Sequence, residues 1–211
     1  MVDEYEWPIV VCGETRETPV VSLPGEDGQW LLSTDGRAYE LGVLSALAGL
    51  FDGVRGVESF WEHGGFGEER VFAGRVFSPC WDYGRNRLTA RLDVGETTNA
   101  RLEALWLRND LPGVSKYGAA RKIPGEPTRV VELTSLWSID LVGEALLGGY
   151  VGEPSTERAL AICERALEAD RDVDLVNAKL AAMRRGLEAC KPKRKPKRKV
   201  TGEVARGAWL S

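Results

Sequence analysis

The chain has one histidine in 211 residues, and a single imidazole cannot build the histidine cluster on which most catalytic zinc sites rest. Its four cysteines, Cys12, Cys80, Cys163 and Cys190, stand far apart with no C-x-x-C pair. That spacing argues against a disulfide framework or a thiolate zinc site, and makes a reducing cytoplasm the expected setting. No apolar run reaches the roughly 18 residues that a membrane-spanning helix needs. The opening MVDEYEWPIVV carries acids where a secretory signal carries basic residues, so no export signal is expected. There is no P-loop, and the glycines at 64–67 lack the G-x-G-x-x-G order with a following helix, so no phosphate cradle is expected. No D-x-D-x-D loop marks a carboxylate metal site, and no repeat of a solenoid's length occurs. The chain is expected to need no cofactor.

What is present describes one packed domain with appendages: 43% of residues are hydrophobic and 28% charged. The net charge of −4 conceals a division. The stretch KPKRKPKRK at 191–199 holds seven of the 28 Lys and Arg, leaving 21 basic against 32 acidic groups, a net of −11, in the rest. Such an acidic body is a poor partner for nucleic acid, because phosphate contact needs clustered cations. The basic stretch is low in complexity, and its prolines and like charges predict an extended tail.

Short β-type runs are expected at 7–11, 19–23 and 29–32, separated by Gly, Pro and acids. Residues 40–51 place Leu41, Leu44, Leu47, Ala48 and Phe51 at helical spacing. β character returns at 57–61 and 70–77, and RLTARLDV at 87–94 alternates apolar and polar with the period of a half-buried strand. Thr97 or Thr98 is expected to cap a helix over about 99–110. Gly113-Val114-Ser115 then leads into a polar loop, followed by a long β run at 129–142. Two amphipathic helices are expected at 155–170 and 173–190. The organisation read from this order is a domain over 1–152, a helical extension over 153–190, dispensable for chemistry, and a basic tail over 191–211. Trp7, Trp30, Trp61, Trp81, Trp106 and Trp137 are expected to anchor the core, and Cys80 to be a small buried residue.

Three residues invite a chemical reading. His63 ends a β run, in Phe60-Trp61-Glu62-His63. Ser115 follows Gly113-Val114. Asp140 sits inside the apolar run Leu136–Val142, where burying a carboxylate without a partner costs several kcal/mol. A serine hydroxyl needs a base to become a nucleophile, and imidazole, with an ordinary pKa of about 6.5, suits that task. A buried carboxylate that orients the imidazole would complete a triad. The exchange Asp140→Asn is then expected to select the wrong tautomer. The other reading pairs Asp140 with an arginine such as Arg91 and turns Ser138 or Glu132 towards His63.

Taken together, Ser33-Thr34-Asp35-Gly36-Arg37-Ala38-Tyr39, the β run ending in His63, Gly113-Val114-Ser115 and Ser138-Ile139-Asp140-Leu141-Val142 resemble the ordered motifs of phage prohead core proteases. The resemblance spans about 33–152. Gly64 stands where that family usually has Pro, Lys116-Tyr117 where it often has Ser-Arg, and Gly143-Glu144-Ala145 where it often has T-D-P-A. The resemblance implies an α+β fold, a herpesvirus-assemblin-like β-barrel flanked by helices, and a serine endopeptidase with His63, Ser115 and Asp140 as catalytic residues. Arg121 is an oxyanion candidate, with a solvated loop residue as the other reading. The implied partners are the major capsid protein and scaffold protein, inside the procapsid in the host cytoplasm, with a homo-oligomer left open. The basic tail would be a solvated tag, or contact acidic scaffold or nucleic acid. A catalytically inactive assembly factor is the alternative.

Overall fold

A computed structural model describes residues 5–17, 20, 22–25, 28–51, 53–63 and 69–189. Its strands are β1 (Glu6–Cys12), β2 (Ser22–Gly25), β3 (Gly28–Leu32), β4 (Arg37–Glu40), β5 (Val57–Trp61), β6 (Val71–Asp82), β7 (Arg87–Val94), β8 (Gly113–Ile123), β9 (Thr128–Val142) and β10 (Tyr150–Val151). Helix α1 (Leu41–Ala46) runs on as a 3-10 turn, and α2 (Glu96–Leu107), α3 (Thr156–Glu168) and α4 (Val173–Ala189) complete the set. The strands close on themselves in the order β9-β5-β6-β7-β1-β10-β8-β9, a seven-stranded barrel in an α+β protein. The β2-β3-β4 meander attaches to it where β4 runs parallel to the first residues of β9.

Alternation explains the wall. In β7, Leu88, Ala90, Leu92 and Val94 are buried, while the residues between them reach the surface. Trp7 and Val11 of β1, Val76 of β6 and Ile139 and Leu141 of β9 join them in a single core. That core continues into the helices. α2 contributes Leu102 and Trp106, and α3 and α4 contribute Ala159, Ile162, Cys163, Ala166 and Val176. The α3 residues recur at the spacing of one helical face, and Ser155 caps the helix by accepting the Arg158 N–H.

The helical segment is therefore not set apart from the domain at residue 152. Arg158 stacks on the Trp7 ring at 4.3 Å and donates to Asn99 Oδ1 at 2.6 Å. Other expectations also need revision. Helix α2 starts earlier, at Glu96 with Gly95 at its N-cap, and Thr98 is buried inside it. The expected polar loop after Ser115 is an 11-residue strand, β8. Its Gly-Ala-Ala centre has little β-propensity, and pairing with β9 overrides it. Three register shifts interrupt that ladder. At the first, a Cβ on Gly118 would lie 2.2 Å from Ser135 O, so only glycine fits.

Trp7, Trp30 and Trp106 are buried, but Trp137 is 50% exposed, at the position where the β8–β9 register shifts between Ser138 and Leu136. Cys80 is exposed rather than buried, whereas Cys12 and Cys163 are buried. Burial pushes the Cys12 thiol up to about 11, and the thiolate is the reactive form. In a Cys190→Ser background, maleimide at neutral pH should label Cys80 in the native protein and leave Cys12 and Cys163 untouched. Equal labelling of all three by peptide mapping would contradict this packing. Among the described residues no helix is long and apolar enough to cross a membrane. The glycines at 64–67, Cys190 and the basic stretch at 191–199 lie outside the described residues, and so do 19 and 21 of the expected strand at 19–23.

Candidate active site

Three neighbouring strands build the site. β9 runs parallel to β5, with Trp61 in register with Leu141, and antiparallel to β8, with Ser115 in register with Asp140. The N–H of Glu62 extends the β5–β9 ladder by donating to Leu141 O at 2.8 Å. Glu62 then takes a φ of +63°, a left-handed conformation that costs a non-glycine residue about 1 kcal/mol or more. This turn delivers His63, whose Nδ1 lies 2.7 Å from Asp140 Oδ2.

Asp140 is fully buried, and its carboxylate is saturated with donors. Besides His63, Arg70 Nη2 donates to Oδ2 at 2.8 Å, the Ser138 hydroxyl at 3.0 Å, and the Phe60 N–H to Oδ1 at 3.2 Å. Arg70 Nη2 also donates to Ser138 Oγ at 2.8 Å. Since a carboxylate only accepts, the imidazole proton sits on Nδ1 and the lone pair of the neutral ring on Nε2.

Ser115 stands directly opposite Asp140 in the antiparallel ladder, so the two side chains share a face with Cβ atoms about 5 Å apart. Ser115 and His63 line one cavity of about 430 Å³. No hydrogen bond joins Ser115 to His63 in this structure, a separation that catalytic groups often show before a substrate arrives. Aromatic rings frame the imidazole. The Tyr117 ring lies 5.5 Å from it and meets Trp137 edge-on at 5.2 Å, while Arg70 lies 3.8 Å over the Phe60 ring.

Of the sequence candidates, His63, Asp140 and Ser115 converge on this corner. The other pairings fall away: Arg91 binds Glu6 at 2.8 Å, Glu132 binds Arg121 at 2.9 Å, and Ser138 touches Asp140 rather than His63. Arg121 does not belong to the site. It lies six residues from Ser115 along β8, about 20 Å at the rise of a strand, and is exposed in its pair with Glu132. Asp140 does pair with an arginine, but with Arg70, which sequence reasoning missed. No local motif marks Arg70; the one signal for a cation near Asp140 is the carboxylate itself, inside an apolar run. Tyr117 was legible in principle, as the residue two past Ser115 on the same face of a strand.

Among the described residues, no three His, Cys, Asp or Glu side chains cluster so as to hold a metal ion. The fold and the site together define a class: an α+β barrel with a serine on one strand opposite a buried aspartate that holds a solvent-accessible histidine. Comparison with family models, curated proteins and solved structures finds no match for this chain.

Proposed function

We propose that this protein is a serine endopeptidase that trims scaffold and capsid-protein segments during phage procapsid maturation, working inside the procapsid in the host cytoplasm. One observation carries the chemistry: His63 is bonded through Nδ1 to buried Asp140 while Ser115, opposite Asp140, opens into the same cavity. The motif order shared with prohead core proteases supplies the substrate class.

In this reading His63 Nε2 takes the Ser115 proton as Oγ attacks the scissile carbonyl, then gives it to the leaving amine. Asp140 holds the tautomer and stabilises the imidazolium. The Val114 N–H is spent on Gly149 O at 3.0 Å. Direction alternates along a strand, so the Ser115 N–H turns to β9 and the Lys116 N–H to the outer edge of β8. That edge has no further strand beside it among the described residues. The Lys116 N–H is thus our oxyanion donor, a contribution typically of about 3 kcal/mol, and the open edge offers the substrate backbone a partner.

The test is a fluorophosphonate probe followed by intact mass and peptide mapping. Wild type should gain one adduct, on Ser115; Ser115→Ala should gain none; and His63→Ala should react slower by about three powers of ten. Adducts on another serine, or none in either free or procapsid-bound protein, would favour a non-catalytic assembly factor. The unmade Ser115–His63 bond is the observation on which that second reading stands.

A further inference from the structure

Asp140 gathers two nitrogen donors on one oxygen, and only one of them carries a permanent charge. Arg70 Nη2 and His63 Nδ1 both address Oδ2, at 2.8 Å and 2.7 Å. A guanidinium stays charged at every pH the protein meets, whereas an imidazole is charged only when protonated. The Asp140 charge is therefore already answered by Arg70 and has less left to hold a second proton on His63. A like charge close by disfavours the imidazolium further.

The guanidinium is fixed by more than this bond. It lies 3.8 Å over the Phe60 ring, and the same residue donates its backbone N–H to Asp140 Oδ1. Nη2 also reaches Ser138 Oγ at 2.8 Å. Because arginine only donates, that hydroxyl turns its own proton to Asp140 Oδ2. The other ionisable groups around His63 do not reverse the balance. Its chain neighbour Glu62 is exposed, and so is Glu69 beside Arg70. From β8, Tyr117 presents its ring at 5.5 Å. Lys116, Lys122 and Arg37, the last paired with Asp35, line the cavity into which the imidazole opens and add positive charge.

We infer that Arg70 is a positioning residue that keeps His63 in its uncharged, proton-accepting form and so extends its use as a base to lower pH. The inference rests on the peptidase reading only for the proton that His63 goes on to accept. Without Arg70, Asp140 would present its full negative charge to the Nδ1–H. The ring would then take up its second proton at a higher pH, before any substrate arrived.

His63 is the only histidine in the chain, so one imidazole signal of the untagged full-length protein reports its titration by proton–carbon NMR. Arg70→Met should raise the midpoint by about one pH unit, a tenfold gain in proton affinity. Arg70→Lys keeps the charge but not the planar fork, and should raise it by less than about half as much. Asp140→Asn set against Asp140→Asn/Arg70→Met repeats the comparison with no buried carboxylate to strand, and the double variant should again titrate higher. An unmoved or lowered midpoint in either comparison, or an equal rise with Arg70→Lys, would overturn the inference. The fluorophosphonate rate followed against pH is the second readout. Arg70→Met should carry its acid limb upward with the NMR midpoint and leave the alkaline plateau within about threefold of wild type. A plateau that collapses while the limb stays in place marks a merely structural arginine and sinks the assignment. A raised midpoint in a protein whose Ser115 never reacts defeats the peptidase reading alone. A reactive Ser115 with an unmoved midpoint defeats the role of Arg70 alone.

Discussion

Replacing Asp140 with Ala should lower peptide hydrolysis by about four powers of ten and destabilise the fold by about 3–5 kcal/mol. The rate loss follows from freeing the imidazole, which then samples both tautomers and loses its counter-ion. The stability loss follows from Arg70. Its guanidinium is held by Asp140 and Ser138, and removing one partner of a buried pair leaves the other charge uncompensated. For a chain of this length, the melting temperature should fall by about 10 °C.

The milder Asp140→Asn separates the two roles, and here the structure changes the expectation. In serine proteases of other folds the exchange costs about four powers of ten because the amide selects the wrong tautomer. In this protein His63, Arg70 and Ser138 all address Oδ2, and only the Phe60 N–H addresses Oδ1. The amide oxygen of the variant stays where three donors converge, its NH2 faces Phe60, and the tautomer is kept. The charge is lost, and so is the acceptor for the Phe60 N–H, which then faces the amide NH2; the rate should fall by about a hundredfold, on the low side of general acid–base effects. Adding Arg70→Met should recover much of the lost melting temperature and none of the lost rate. Kinetics with thermal melts on the single and double variants checks this. A loss for Asp140→Asn as deep as for Asp140→Ala would show that the amide had flipped.

A chain ending at residue 152 should not fold. It lacks Ile162, Cys163 and Val176, which are buried in the same core as the barrel, and burying an Ile or Val contributes about 1.5–3 kcal/mol each. It also loses the cover on Trp7 and Trp106, over which Arg158 and Lys179 lie at 4.3 Å and 4.6 Å. Trp106 Nε1 loses the Glu153 carboxylate that accepts its hydrogen bond. These losses are comparable to the whole stability of a domain, about 5–15 kcal/mol. The truncated chain should lack near-ultraviolet dichroism and amide dispersion. A cooperative melt near that of the full chain would mean that α3 and α4 are a detachable layer after all.

What could be read without coordinates was whatever had a strict period or a costly residue. β7 alternates, α3 repeats at helical spacing, and Asp140 inside an apolar run demanded a partner, so each announced itself locally. β8 did not, because a strand of Lys, Tyr, Gly and Ala takes its conformation from β9. The helical segment looked detachable because composition changes at 152, but composition does not report which face meets α2. Trp137 illustrates the limit of residue type: alternation from Ile139 and Leu141 would send it into the core, but the ladder with β8 slips between its neighbours Leu136 and Ser138, and the tryptophan is left half exposed there. Arg70 was invisible for the same reason, since its contact with Asp140 joins residues far apart in the chain.

The open edge of β8 has a consequence for how the protein behaves when concentrated. An unpaired strand edge is a template on which a second copy can add. This one carries Lys116 and Lys122, besides Arg121 in its pair with Glu132, and is broken by three register shifts. Two such edges brought together would set like charges against each other and mismatched ladders side by side. The protection is mainly electrostatic and therefore fades as salt shortens the Debye length from about 10 Å at 0.1 M towards about 3 Å at 1 M. The protein should stay dispersed at low ionic strength and begin to associate through this edge as salt rises, a reversal of what surface charge pairs between unlike partners would give.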